Sequence, residues 1–278
     1  MLRVFRFSVL ASLLMFGISL PAQVNQDSPE QAQVVPPDQV QVALPNLQRP
    51  APPDPDALAD DLEKKGDDLR ADKAFLDALD YYRAALKKNP KAQLYNKTCM
   101  TELLLRRPED AKKDCARATK KDHAYADAYN NLGVAYYLLK DYSKAISQYK
   151  KALKIRQDSA SFYSNLGSAY FAKKEFLDAT LAYQQAVQID PDIFERSSRA
   201  GVVGQISSPA DRARFDFVLA KLYAKMGSND RSLQCLRKAL EEGYPKIDDV
   251  YKDDEFAELR KDPRFNELMA ARPPAIPQ

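Results

Sequence analysis

The sequence predicts an all-α solenoid built from antiparallel helix pairs. Three observations point there: the chain matches itself at an offset of 34 residues, the matching positions hold small and aromatic residues at helical spacing, and the composition is helical and soluble. Of the 278 residues, 45% are hydrophobic and 29% charged, which argues against a wholly disordered chain and against a polytopic membrane protein. A single histidine, His123, excludes multi-histidine zinc or iron sites and catalysis by a histidine pair. Carboxylate-only chemistry stays open, but the expectation is no enzyme, no cofactor and no metal. His123 itself reads as a solvated turn residue.

Residues 1–22 read as a signal peptide: Arg3 and Arg6 precede an apolar run from Phe7 to Leu20, followed by Pro21-Ala22. That run would reach only about 21 Å as a helix against a hydrocarbon core of about 30 Å. The expectation is export to a periplasmic or extracellular location, with retention as a signal anchor the alternative. The formal charge of +3 falls to about +1 without the leader, which removes the basic field a nucleic-acid partner would need. Residues 23–57 then carry eight prolines without any helical apolar pattern, and are expected to form an extended, disordered tether.

Helical patterning begins near Leu58. Residues 126–159 and 160–193 share 13 identities in 34 positions, among them Tyr129/Tyr163, Asn131/Asn165, Gly133/Gly167, Tyr136/Tyr170, Ala145/Ala179, Tyr149/Tyr183 and Ala152/Ala186. Counted from each glycine, a small residue follows at +12, an aromatic at +16 and a second small residue at +19, as in Gly66, Ala78, Tyr82 and Ala85. Glycine and the +12 residue are expected where two helix backbones cross, and the aromatics where the gap is wider. The second copy is degenerate, with Cys99, Ala111, Cys115 and Ala118 in the same places; the fifth has Ala220, Ser232, Leu236 and Ala239.

This pattern resembles the tetratricopeptide repeat family over roughly 59–246, and the resemblance implies a right-handed α-solenoid that holds protein partners. Five repeats result: 59–91, 92–125, 126–159 and 160–193, within a first block 58–193, and 213–246. Residues 194–212 are an insertion, with Ser208-Pro209 as helix cap and first helical residue. Residues 247–272 are capping helices over the last apolar face. Residues 273–278 form a frayed tail.

By the family's spacing the first helix of each pair lines a concave groove. The resemblance places Asn130, Asn131, Asn165, Tyr137, Phe171, Lys97, Ser168 and Lys221 there. Asn131 and Asn165 match the asparagine ladder that binds a peptide backbone in some members; they could equally be bonded to a neighbouring helix. Tyr137 and Phe171 would offer apolar faces beside them. Members that clamp the acidic tail of heat-shock chaperones use two Lys, two Asn and an Arg at positions where this chain has Glu63, Asp67, Lys97, Asp127 and Asn131; its three carboxylates would repel a carboxylate ligand, which argues against that function. Cys99 and Cys115 could pair across the second hairpin in an oxidising compartment, but their packing positions favour buried free thiols, with Cys235 unpaired in either case.

The function expected is a non-catalytic scaffold gripping a protein or extended peptide along the groove, with no membrane insertion after cleavage of the leader. The alternative is a structural adaptor. It would dock folded partners or a second copy through its convex face or terminal helices, with the groove covered by its own 194–208 segment through Arg196 and Arg199.

Overall fold

The computed structural model describes residues 50–197 and 208–272, within the unit Arg49–Gln278. The leader, most of the tether, Arg199 with the rest of 198–207, and the tail lie outside the described residues. Among the described residues there are twelve α-helices and no strand. Four hairpins follow one another: α1 (Ala59–Ala71) with α2 (Phe75–Lys88), α3 (Ala92–Leu104) with α4 (Pro108–Lys121), α5 (Ala126–Leu138) with α6 (Tyr142–Ile155), and α7 (Ala160–Ala172) with α8 (Phe176–Ile189). After the short α9 (Ile193–Ser197), a fifth hairpin pairs α10 (Pro209–Lys225) with α11 (Asn229–Glu241); three 3-10 turns between Ile247 and Lys261 and α12 (Pro263–Ala271) close the array.

Each hairpin turns in the same way. The residue seven after the glycine position has positive φ in all five: Lys73, Arg106, Lys140, Lys174 and Gly227. The next amide then bonds back five residues, as Asp141 N to Tyr136 O at 2.9 Å and Ser228 N to Tyr223 O at 2.9 Å. This left-handed cap satisfies orphan carbonyls, and four basic residues accept the backbone strain of that conformation at a helix C-terminus, where positive charge is favoured.

The glycines answer to the aromatic at +16 more than to the small residue at +12. A methyl group at Gly133 would lie 2.5 Å from Tyr149 Cε1, and one at Gly66 or Gly167 would meet the Tyr82 or Tyr183 ring as closely. The +12 backbone is near as well, since the same methyl on Gly167 would lie 3.2 Å from the Ala179 carbonyl oxygen. These tyrosines are fully buried and form the centre of each hairpin.

The second hairpin corrects the expectation of free thiols. Cys99 and Cys115 form a disulfide with a Cα–Cα distance of 5.4 Å, within the normal range for a bridge. They hold the two positions that glycine and tyrosine hold elsewhere, where a ring on one helix lies against the bare backbone of the other, so the two sulfurs meet across a close approach. Cys235 is a buried free thiol whose pKa burial pushes up to about 12.

The fifth hairpin runs against the direction of the other four. In a regular array α10 would begin beside the end of α8. Instead Arg214 lies 4.3 Å over the ring of Phe176 at the start of α8, Lys174 pairs with Asp211 at 2.6 Å, and Tyr223 donates to the carbonyl of Pro191 beyond its end at 3.1 Å. Helix α10 therefore runs parallel to α8, and Phe194 of α9 takes the place of the next helix against Tyr183 and Phe215.

Both ends of the array are covered by adjoining chain. Phe217 stacks on Tyr244 at 4.5 Å and meets Phe256 at 5.6 Å, while Phe256, Leu259 and Phe265 are buried. Much of this segment is 3-10 turn rather than α-helix. At the other end the last tether residues lie on α2, where Tyr81 donates to Ala51 O at 2.8 Å and Lys88 to Pro55 O at 2.6 Å. Ala51 and Pro55 are thus held against the first hairpin.

Candidate functional site

The asparagines of the first helices form one hydrogen-bonded row. The residue two before the glycine position in one repeat reaches the residue three before it in the preceding repeat. Asn165 Nδ2 donates to Asn130 Oδ1 at 2.9 Å, and Asn131 Nδ2 to Asn96 Oδ1 at 2.9 Å. Within α5, Asn130 Nδ2 donates to Asn131 Oδ1 at 3.3 Å and joins the two rungs; Asn96 Nδ2 ends the row on Tyr125 Oη at 3.1 Å. The amide chain crosses α7, α5 and α3.

The same register continues into the first repeat with charge in place of amides. Lys97 donates from Nζ to Glu63 Oε1 at 2.7 Å and to Asp67 Oδ2 at 2.6 Å. Partial burial lowers its pKa, but the hydrogen bonds to Asp67 and Glu63 outweigh it and hold the ammonium above its ordinary range. Asp67 also accepts from Tyr82 Oη at 2.8 Å, which ties this end of the row to the hairpin core.

Asn130 is buried, whereas Asn131 and Asn165 are half-buried, as are Val134 and Met100 beside them. An amide carries two N–H donors and an oxygen with two lone pairs. The bonds above use one N–H of Asn131 and one of Asn165, which leaves each a second N–H to give.

Of the eight residues expected in the groove, the structure brings Asn130, Asn131 and Asn165 together and sets Lys97 in the neighbouring rung. Three others are interior, which corrects their expected role as groove surface. Tyr137 is 7% exposed, packs 5.3 Å from Tyr142 and has its pKa pushed up to about 12 by burial. Phe171 is 3% exposed, edge-on to Phe176 and to Phe215, because the reversed α10 brings Phe215 over it. Ser168 is buried and bonded inward, to Ser164 O at 3.0 Å and with Tyr183 Oη at 3.3 Å. Lys221 is not brought to the row: it pairs with Asp253 at 2.9 Å and Glu255 at 3.4 Å, and lines a cleft with Thr180 and Gln184 of α8. Asn96 and Tyr125 complete the row; the signal for Asn96 is its place three before Cys99, the place of Asn130 before Gly133.

Among the described residues no group of three His, Cys, Asp or Glu could hold a metal ion, and no helix is long and apolar enough to cross a membrane. Among the described residues two carboxyls, Glu102 and Asp216, are pushed up to about 7 by burial. Glu102 accepts from Arg83 at 3.2 Å and faces Asp114, away from the amide row.

Three family profiles match. One described as "TPR repeat" covers residues 135–174, and two described as "Tetratricopeptide repeat" cover 160–193 and 217–242. No curated protein matches the sequence. Among solved structures, a crystal structure of MamA is 24% identical over 64% of this chain and 93% of its own, with a TM-score of 0.47. TTC0263, a thermophilic TPR protein in Thermus thermophilus, is 22% identical over 73% of this chain and 98% of its own, with a TM-score of 0.46. The first TPR of Spaghetti (RPAP3), bound to an HSP90 peptide, is 21% identical over 45% of this chain and 91% of its own, at a TM-score of 0.37.

Proposed function

The chain is a tetratricopeptide repeat protein, and on that premise we propose that it holds an extended segment of a partner protein along the first-helix face, with Asn131 and Asn165 as the gripping residues. Such arrays are protein–protein interaction scaffolds, generally without catalysis of their own. The observation that carries the finer reading is the amide row. Its hydrogen bonds fix the orientation of Asn131 and Asn165 before any ligand arrives, so little side-chain entropy is lost on binding. The second N–H of each can then be given to a backbone carbonyl of an extended chain, a contact that reads the backbone and not the side chains. Met100 and Val134 supply apolar surface beside it.

The charged rung sets one end of the site. Glu63 and Asp67 are neutralised in part by Lys97, so a carboxylate-rich ligand finds two acids there. The partner segment is accordingly neutral or basic at the end that meets the first repeat. The setting is outside the cytosol, in the cell envelope or beyond. The leader-like residues 1–22 support this, and so does the Cys99–Cys115 disulfide, a bond that persists in oxidising compartments.

The test is recovery of partners from envelope extracts on wild type and on Asn131→Asp/Asn165→Asp. The aspartate side chain has no N–H, so it can donate neither to the preceding repeat nor to a ligand. Loss of recovered partners with unchanged helicity supports the reading; unchanged recovery refutes it.

A further inference from the structure

Because α10 runs parallel to α8 instead of following it through a short turn, the two helices and the chain after α11 enclose a cleft of about 450 Å³. That volume is within the range of ligand-binding sites. Phe176, Phe217 and Val218 supply its apolar wall, and Tyr244 lies stacked on Phe217 at 4.5 Å. Thr180 and Gln184 of α8 add a hydroxyl and an amide. The amide row belongs to α3, α5 and α7, so the cleft is a separate surface.

The charges of the cleft choose its occupant. Four cations and three acids line it, and Lys221 is taken by two of the acids, Asp253 at 2.9 Å and Glu255 at 3.4 Å. Arg214, Lys225 and Lys246 remain against Asp249 alone, and among the described residues none of these four has an ion pair. A neutral or basic occupant would cover three cations without a counter-charge, and a second copy would bring the same cations again. A carboxylate-bearing occupant pairs them. Arg214 is prepared for this: its guanidinium lies 4.3 Å over the Phe176 ring, which fixes its plane and leaves its N–H edge to meet a carboxylate as a fork.

Arg214 and Lys225 stand eleven residues apart on one face of α10, about 16 Å along the helix. An extended chain covers that distance in about five residues. We propose that the cleft holds a short acidic segment of a partner protein in extended form, with one carboxylate at Arg214, a second about five residues away at Lys225, and apolar side chains between them against Phe217 and Val218. The span is too long for one compact acid to reach both cations, and Gln184 lies between them to bond a peptide backbone. The proposal rests on the chain being a protein-holding scaffold and makes no use of the amide row.

Two displayed libraries of six-residue segments test this on the full chain, one with glutamate and one with lysine fixed at both ends, the inner positions being random. Segments should be enriched from the glutamate library and carry apolar inner residues. Their affinity should fall by about tenfold or more in Arg214→Gln and in Lys225→Gln, with circular dichroism unchanged. Lys225→Glu should move the preference to segments with glutamate at one end and lysine at the other, a reversal that loss of folding cannot produce. Asn131→Asp/Asn165→Asp should leave the affinity unchanged, which separates this site from the amide row. No enrichment of the glutamate library over the lysine one, or glutamate segments that bind the Arg214 and Lys225 variants as tightly as wild type, overturns the proposal.

Discussion

Cys99 and Cys115 stand sixteen residues apart and are joined by a disulfide at the two positions where Gly133 and Tyr149 touch in the next repeat. One hairpin is held by a covalent bond between two small side chains; its neighbour is held by a ring lying on a bare backbone. Replacing both cysteines by alanine should lower stability by about 2–4 kcal/mol, through both the lost cross-link and the cavity left behind. Cys99→Gly/Cys115→Tyr, which restores the pairing of the other repeats, should lose less. Denaturant unfolding of the two variants decides this, and alkylation of the unfolded chain should label one thiol without reductant and three with it.

Gly133 and Tyr149 should behave as one unit. Gly133→Ala drives a methyl into the ring and should cost about 1–3 kcal/mol. Adding Tyr149→Leu reproduces the Ala220 and Leu236 pair of the fifth repeat. It should recover part of that loss, so a double-mutant cycle gives a coupling of about 1 kcal/mol or more. Additive effects would mean that the ring is not what excludes the methyl.

The buried tyrosines differ in their hydroxyls. Tyr82 Oη bonds Asp67 at 2.8 Å, whereas Tyr149 Oη is buried without a partner. Tyr82→Phe should therefore destabilise by about 1 kcal/mol, and Tyr149→Phe should be neutral or stabilising. Thermal unfolding of the two variants under one condition is sufficient.

Glu102 makes stability depend on pH in an unusual direction. Burial, reinforced by Asp114, raises its carboxyl from an ordinary value near 4.5 to about 7 against the opposing pull of Arg83. The folded chain then binds more protons than the unfolded chain between these values, so stability falls as pH rises from about 4.5 to about 7. Asp216, also raised by burial, acts with the same sign. In Glu102→Gln the slope across that window should flatten, with the gain in melting temperature largest above pH 7. Melting curves from pH 4.5 to 8 measure it; an unchanged slope contradicts the assignment.

How much of this can be read in the sequence varies with how far apart the contacting residues are. The 34-residue period and the small-aromatic columns lie within single hairpins, and the helices follow them. The asparagine register is half visible: Asn131 and Asn165 match, but the partner of each is the residue before the equivalent asparagine one repeat back, which a column-by-column comparison does not pair. The burial of Phe171 depends on Phe215, across the insertion, and a hairpin has the same internal pattern whichever way it runs, so the reversal of α10 leaves no mark. The disulfide escapes for a more specific reason. Pairing glycine with the backbone at +12 overlooks its closest neighbour, the side chain at +16; with that contact recognised, Cys99 and Cys115 are adjacent.

The central claim is that half-buried asparagines on the first helices hold the backbone of an extended segment. Selection from a displayed library of random peptides, followed by binding measurements on wild type and on Asn131→Ala/Asn165→Ala, tests it most directly. The account predicts peptides that share little side-chain sequence and lose affinity for the double variant by about tenfold or more, with circular dichroism unchanged. Selected peptides that bind the variant as tightly as wild type would contradict it.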